Sequence, residues 1–205
     1  MLYPGLITYL PENVPVGATC RAQAWIGVEN PGTFKINMSM YDVKMNQNKA
    51  SFIVDPDAEH VEMAVPPVEA DNAGTLGIGE PWTVDGQWSV TVTGVRKAER
   101  LNKYCDKSPE EVYMVEYTYT NIGYKDDLMD GLYITLDDVI VDSKGMMGFS
   151  YPGDIKDYPK PIQIGETLKA ESCVGVYHAG DFKVTISKYD GNKNKQKETF
   201  AIKVN

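Results

Sequence analysis

The stretch that most constrains the fold is residues 111–123, EVYMVEYTYTNIG. Its aromatic and β-branched side chains alternate with a period of two, which is typical of a strand on a half-buried sheet surface. One face of this strand carries Tyr113, Val115, Tyr117 and Tyr119. Asn121 and Gly123 follow, and both residue types favour tight turns. The stretch therefore predicts a sandwich strand that ends at a corner.

The rest of the second half shows the same alternation in shorter segments. They occupy residues 88–93, 132–141, 168–176, 182–186 and 200–204. The alternation changes phase at Asp137-Asp138, which predicts a bulge or a turn there. No long amphipathic helix interrupts the pattern. Frequent turn signals between short strands predict an all-β, immunoglobulin-like β-sandwich.

The first half is predicted to form a small β-rich unit. Asn30-Pro31-Gly32 is a strong turn signal between two alternating segments, residues 20–28 and 34–40, which predicts a hairpin. Short strands are also predicted at residues 51–54 and 60–65. Residues 66–79 are rich in proline, glycine and small polar side chains, which is typical of a linker.

The predicted organisation is therefore an N-terminal unit over residues 1–70, a linker over 71–79 and a sandwich over 80–205. A chain of 205 residues is long enough for this division.

The charge of the chain restricts the classes of partner that it can bind. The formal net charge is −9 and the isoelectric point is about 4.7. An acidic protein lacks the positive field that a general nucleic-acid binder or a protein docked on anionic lipid needs. No window has the roughly 18 apolar residues of a membrane span. The first residues also lack the basic start of a signal peptide, so an intracellular or phage-borne location stays open.

The cysteines and histidines are few. Three cysteines, Cys20, Cys105 and Cys173, do not make a disulfide framework. The sequence leaves open whether Cys105 and Cys173 pair across the sandwich or remain free thiols. Only His60 and His178 are present, which leaves little room for a zinc site or a histidine-based catalytic site.

The acidic loop after the long strand is a weak candidate for calcium. Asp126, Asp127 and Asp130 offer oxygen ligands, but their spacing does not match a known calcium loop. A solvated loop is the preferred interpretation, so we expect no cofactor. No nucleophile lies in a recognisable catalytic motif and no phosphate-binding loop is present, so we expect a protein that is not an enzyme.

The long loop over residues 143–161 is the predicted partner-binding site. It combines several glycines and prolines with side-chain types that are common in interfaces. These are Met146, Met147, Phe149, Tyr151 and Tyr158. The alternative is that the loop folds back as a lid over the sandwich, with its rings in the core.

Three segments resemble the DUF4352 family: GIGEPWTVDGQWSVTVTGVRKAE, VYMVEYTYTNIG and PIQIGETLKAESCVGVY. Asn121 and Gly123 match the Asn-x-Gly end of the family's long strand. Gly165 and Glu166 match its Pro-Gly-Glu turn, with Ile164 in place of the usual proline.

The resemblance covers about residues 76–205. It implies an immunoglobulin-like sandwich of the MPT63-like type, found in Gram-positive bacteria and their phages. Members usually follow a lipoprotein signal or a membrane anchor, so the resemblance also implies an extracellular or cell-surface location. Its motifs are structural and bear on the fold more than on function.

Three functions from different classes are compatible with these observations. The first is a non-catalytic binding or adaptor module with a protein or cell-envelope partner. The second is a structural component of a phage virion or surface assembly, with the N-terminal unit as its docking part. The third is a calcium-dependent binding protein. The oligomeric state is not indicated by the sequence.

The domain division predicts a proteolysis pattern. Limited proteolysis should cut first between Pro66 and Gly79 and leave a stable fragment that begins near Leu76. Mass spectrometry identifies the cut, and circular dichroism reports whether the fragment is folded. An unfolded fragment would mean that the two halves share one core.

Overall fold

The chain is an all-β protein, as predicted. The computed structural model describes residues 14–59, 75–126, 130–136 and 138–204. Strands are the regular secondary structure of these ranges, and no helix occurs in them. Consequently, no helix with the length and apolar composition of a membrane span is found there.

Two compact units divide the chain. Within the described ranges, residues 24–59 belong to the first unit, and residues 14–23 and 75–204 belong to the second. Residues 14–23 therefore group with the sandwich rather than with the N-terminal unit. Their contact is made by Thr19, whose N–H donates to the carbonyl of Gly145 at 2.8 Å and whose carbonyl accepts from Met147 at 2.7 Å.

The part of the predicted linker that the structure describes is hydrogen-bonded to the sandwich. Leu76 donates to the carbonyl of Thr199 at 2.9 Å and accepts from the N–H of Ala201 at 2.8 Å. Residues 71–74 lie outside the described ranges, as do most of residues 66–79. The linker over residues 71–79 stays a prediction. Leu76, which falls within that range, is bonded to the sandwich.

The first unit contains one antiparallel hairpin. Strand β1 spans Phe34–Tyr41 and strand β2 spans Gln47–Val54. Their register pairs Phe34 with Val54 and Tyr41 with Gln47. The predicted hairpin around residues 30–32 is wrong, because β1 pairs with the strand that follows it. The predicted strand over residues 60–65 lies outside the described ranges.

The chain turns at residues 42–46 because Asp42 closes that loop. Its Oδ1 accepts the N–H groups of Lys44 at 2.8 Å and Asn46 at 2.9 Å. The main chain adds a bond from the N–H of Met45 to the carbonyl of Asp42 at 2.9 Å. An aspartate that satisfies the backbone ahead of it is a strong turn former. This signal was present in the sequence beside the more familiar Pro31-Gly32 pair.

The second unit is a sandwich of two antiparallel sheets. Its strands are β3 (Pro81–Val84), β4 (Trp88–Lys97), β5 (Glu111–Asn121), β6 (Val139–Val141), β7 (Phe149–Ser150), β8 (Thr167–Val176), β9 (Phe182–Tyr189) and β10 (Lys195–Ile202). One sheet has the order β3-β4-β5-β8-β7, and the other has the order β10-β9-β6. The long strand predicted at residues 111–120 is β5, at the centre of the larger sheet.

The core lies between the two sheets. The predicted inner face of β5 is confirmed, because Tyr113, Val115, Tyr117 and Tyr119 are all buried there. They pack with Trp88 and Val90 of β4, Val174 of β8, Val184 of β9, and Phe200 and Ile202 of β10. The hydroxyl of Tyr117 donates to the carbonyl of Ile134 at 2.9 Å, so this ring is buried with its polar end satisfied.

Residues 132–136 differ from the predicted strand. Their alternating side chains are buried as expected, but the segment pairs with residue 162 through Leu132 alone. The two N–H groups and carbonyls of Leu132 and Ile162 exchange bonds of 2.9 and 3.0 Å. Strand β6 begins only at Val139. Of the predicted break at Asp137-Asp138, Asp137 lies outside the described ranges.

A corner at the end of β5 is organised by the buried side chain of Asn121. Its Nδ2 donates to the carbonyls of Tyr124 and Ile162, both at 3.1 Å. Its Oδ1 accepts the N–H of Tyr124 at 2.8 Å. The backbone of Asn121 donates to Glu166 and accepts from Gly165. One amide therefore joins the end of β5 to the turn before β8.

The glycines of this corner have identifiable roles. A Cβ at Gly123 would lie 2.6 Å from the carbonyl oxygen of Gly86, which is too close for any other residue type. Gly165 has a φ of +89°, in the region that favours glycine. Glu166 completes the turn, since its Oε2 accepts the N–H of Gln163 at 2.8 Å.

Replacing Asn121 tests the importance of the corner. Asn121→Ala removes the partners of three buried backbone groups, so we expect a loss of at least about 3 kcal/mol in the free energy of unfolding. Urea denaturation followed by tryptophan fluorescence measures it. The neighbouring half-exposed Ile122→Ala is the control and should change stability far less. Equal effects would show that the amide network is not what holds the corner.

Candidate interaction surface

Strand β5 is buried on its inner face and also at Val112 and Met114 of its outer face, and this second buried region determines where the predicted site lies. Val112 and Met114 point away from the core of the sandwich and form a separate cluster with Tyr151 and Cys173. Partly buried residues from the flanking segments pack against it: Ala98, Cys105, Phe149 and Ile155. The part of the outer face around Val112 and Met114 is therefore covered by residues 98–105 and 149–155.

Tyr151 belongs to this cover. Only 3% of the residue is exposed. Its hydroxyl accepts the N–H of Asn102 at 2.7 Å, and its own N–H donates to the carbonyl of Cys173 at 2.8 Å. Tyr151 thus ties two loops to β8, and its ring is not available as an exposed anchor. This placement corresponds to the lid alternative.

Three of the other predicted anchors are half-buried. Phe149 lies in β7, near Tyr151 and Tyr177, with ring-centroid distances of 6.2 and 5.6 Å. The Nζ of Lys107 is 4.7 Å from its ring centroid. Met146 and Met147 flank the bridge to Thr19, so they lie beside residues 14–23. Phe149 therefore packs within the second unit, and the backbones of Met146 and Met147 are held there.

Tyr158 is the predicted anchor that stays exposed, at 65%. It precedes Pro159 and Lys160, and the backbone of Lys160 is bonded to the hydroxyl of Tyr119. The structure therefore separates the five residues into a buried group and one exposed ring. A partner contact by Tyr158 stays a prediction.

Single substitutions distinguish the two tyrosines. Tyr151→Ala should lower the free energy of unfolding by about 3 kcal/mol or more, because a buried ring is lost. Tyr158→Ala should change it by less than about 0.5 kcal/mol. Urea denaturation measures both, and Tyr151→Phe isolates the hydroxyl's share. Similar small effects at both positions would contradict the burial of Tyr151.

The exposed part of the larger sheet carries an ion network rather than an apolar patch. Arg96 lies 3.0 Å from Glu171 and 3.7 Å from Glu116, and Lys169 lies 3.0 Å from Glu116. Burial opposes ionisation of Glu171, but hydrogen bonds from the N–H of Lys156 and from Arg96 outweigh it and lower the pKa of that carboxyl. These charges are satisfied by one another, as expected for a structural network.

The cysteines are free thiols in this structure. Cys173 is buried in the outer cluster, and Cys105 packs at its border. Burial raises the pKa of the Cys173 thiol to about 11. A thiol that stays protonated is a poor nucleophile, so Cys173 acts as a packing residue.

The candidate calcium ligands are engaged in hydrogen bonds. Asp126 accepts from the hydroxyl of Tyr124 at 3.0 Å, and Asp130 accepts from Nε2 of Gln163 at 3.1 Å. Asp127 lies outside the described ranges. In the part of the chain that the structure describes, no group of three histidine, cysteine, aspartate or glutamate side chains is placed to hold a metal.

A histidine–carboxylate pair lies near the start of β9. Nδ1 of His178 is 2.8 Å from Oδ2 of Asp142, whose side chain is fully buried. The other carboxylate oxygen accepts the N–H groups of Lys144 and Met146. Asp142 thereby closes the turn after β6, and His178 is the hydrogen-bond partner of its second carboxylate oxygen. The pair's contacts are those of a structural turn.

The first unit presents an apolar surface that the sequence analysis did not identify. The register of β1 and β2 places alternate residues on one face: Phe34, Ile36, Met38, Met40, Ala50, Phe52 and Val54. The opposite face carries mainly polar side chains. Met38, Met40 and Phe52 are each more than half exposed. The sequence signal for this surface was the alternation of apolar side chains in residues 34–40 and 51–54. The sequence analysis did not pair these two segments with each other.

The loop at the end of this hairpin has a close counterpart in the sandwich. Asp42 and Asn46 bracket one loop, and Asp190 and Asn194 bracket the other, between β9 and β10. In both loops the aspartate Oδ1 accepts two N–H groups, at 2.8 and 2.9 Å. In both loops the fourth residue has a φ of 63°. The two backbones are therefore built in the same way.

The side chains of the two loops differ. The loop between β9 and β10 carries Gly191, Asn192 and Lys193, which are ordinary for an exposed turn. The hairpin of the first unit carries Val43, fully exposed, and Met45, 76% exposed, on either side of Lys44. A positive φ is uncommon for methionine, and such outliers cluster at functional sites. We call Met38, Met40, Val43, Met45 and Phe52 the hairpin surface.

Comparisons with known proteins give one structural likeness. No protein-family model matches the sequence, and no curated protein matches it. Among solved structures, the chain is similar to a candidate lipoprotein, YcdA, from Bacillus subtilis, with 16% sequence identity and a TM-score of 0.44. The match covers 58% of this chain and 37% of the other, so the chain spans well under half of that protein's length.

Proposed function

We propose that the chain is a non-catalytic binding module that recognises a protein or cell-envelope partner through the hairpin surface. The observation that carries this proposal is the contrast between the two matched loops. The same backbone holds polar residues at the end of β9, and it holds Val43 and Met45 in the hairpin. Folding of the loop needs Asp42 and Asn46, but it does not need the apolar side chains between them.

The chemistry of the surface fits protein recognition. Methionine and aromatic side chains are enriched in interfaces, and methionine adapts its shape to a partner. Three of the five side chains of the hairpin surface are methionines. Covering exposed apolar area contributes roughly 25 cal/mol per Å² removed from water, less the ordering cost of association. Tyr158 is a secondary candidate contact on the other unit.

The family assignment is also part of the proposal. We infer that residues 76–205 are a DUF4352-type domain, found outside the cell or on its surface. Support comes from the motif residues, since Asn121, Gly123 and Gly165 each satisfy a requirement of the corner. A resemblance of this kind supports the fold of the domain, and the partner is argued from the hairpin surface.

A structural role in an assembly is the second candidate. The exposed apolar side chains of the hairpin also favour it, because subunits of an assembly bind through complementary surface patches. In this role the first unit supplies the contact and the sandwich supplies the body. The two candidates predict the same contact residues and differ in the partner.

A pair of matched variants tests the proposed function. Val43→Ser with Met45→Asn removes the apolar side chains and places asparagine where positive φ is tolerated, so the fold should be kept. Asn192→Ser with Lys193→Asn makes the corresponding change in the other loop as a control. The full chain is immobilised to capture proteins and cell-wall fragments that bind it. Each captured partner is then purified, and calorimetry measures its affinity for the unchanged chain and for the two variants. Loss of at least tenfold in affinity should occur for the hairpin variant only.

The opposite result is equally clear. A partner that binds the hairpin variant and the control variant with the affinity of the unchanged chain would assign binding to another surface. Circular dichroism and thermal melting of all three proteins establish that they are equally folded.

A further inference from the structure

We propose that the hairpin surface docks on the sandwich of a second copy of this chain, so that copies associate head to tail. This inference rests on the proposed function and names its partner. It requires a chemical match between the hairpin and a patch on the sandwich, and both sides of that match are present in the described residues.

The hairpin is the basic part of an acidic chain. Residues 33–54 contain Lys35, Lys44 and Lys49 against Asp42. Three positive charges and one negative charge give +2, whereas residues 80–205 contain 20 acidic and 16 basic side chains, which gives the sandwich a net charge of −4. Two hairpins therefore repel each other, whereas a hairpin and the sandwich of another copy attract.

The acceptor is a patch at the Asn121 corner. Ile122 and Ile164 are 45% and 49% exposed there. The bond from Gly165 to the carbonyl of Asn121 holds their two turns together. Two carboxylates flank them through Gln163, whose N–H donates to Glu166 and whose Nε2 donates to Asp130.

We call Ile122, Ile164, Asp130 and Glu166 the corner patch. Apolar side chains between carboxylates complement the hairpin, in which Lys44 stands between Val43 and Met45. Apolar contacts supply most of the affinity in such an arrangement, and the paired charges supply orientation and specificity.

The geometry of the match has a consequence for the assembly. Two different surfaces of one chain meet, so the contact is heterologous and a docked pair still offers one free surface of each kind. Association should therefore continue beyond the dimer as concentration rises, unless the rotation between copies closes a ring. A self-complementary dimer would instead stop at two copies.

A charge exchange tests the contact directly. Lys44→Asp alters the hairpin and Asp130→Lys alters the corner patch, and each single variant should associate at least tenfold more weakly than the unchanged chain. In an equimolar mixture, the intact patch of the first variant accepts the intact hairpin of the second. The altered hairpin of the first variant and the altered patch of the second also carry opposite charges, so sedimentation velocity should show association restored in the mixture. The double variant should regain association with itself.

Controls separate this inference from the proposed function. The variant with Val43→Ser and Met45→Asn should be monomeric, and the variant with Asn192→Ser and Lys193→Asn should associate normally. A chain that stays monomeric at every concentration overturns the inference, while the proposed function still stands if another partner needs the hairpin surface. Association that survives the hairpin variant also overturns it. So does hairpin-dependent binding to phosphatidylglycerol vesicles without self-association.

Discussion

The buried amide of Asn121 is the interaction on which the sandwich depends. A side chain that donates twice and accepts once can satisfy three backbone groups of different segments at a single point. Tyr124, held by this amide, places its ring 5.4 Å from that of Trp88, nearly perpendicular. The Nζ of Lys188 in β9 lies 4.7 Å from the centroid of the same ring. The corner therefore connects the larger sheet to the smaller one through Tyr124.

The outer face of β5 is covered at Val112 and Met114, so that part of the sandwich surface is not open to a partner. Tyr117 and its neighbours fill the core, and Met114 on the opposite face needs cover of its own. Residues 98–105 and 149–155 supply that cover, and Tyr151 joins them through Asn102. Among the apolar side chains that remain exposed in the described residues are those at the corner and those on the hairpin of the first unit.

The sequence predicted β5, its inner face and its corner because each depends on local patterns. Alternation fixed which side chains of β5 face the core, and Asn121 with Gly123 marked its end. The placement of Tyr151 required a longer-range fact, namely which segment covers the outer face. Val112 and Met114 were apolar on a face assumed to be open to solvent, and this was the signal that a cover existed. The hairpin prediction failed for a related reason. Pro31-Gly32 and Asp42 both predicted turns, and only the pairing of β1 with one of its neighbouring segments decides between them.

The two aspartate loops separate the residues that the turn requires from those that it does not. Both loops satisfy the same backbone groups with the same side-chain type, so their contributions to turn formation are comparable. A left-handed conformation costs a residue with a Cβ roughly 1 kcal/mol. Lys193 adopts this left-handed conformation and is exposed to water. Met45 adopts it as well and in addition leaves its thioether exposed beside Val43. Neither side chain is needed to form the turn, and their exposure is the observation that supports the contact we propose for the hairpin.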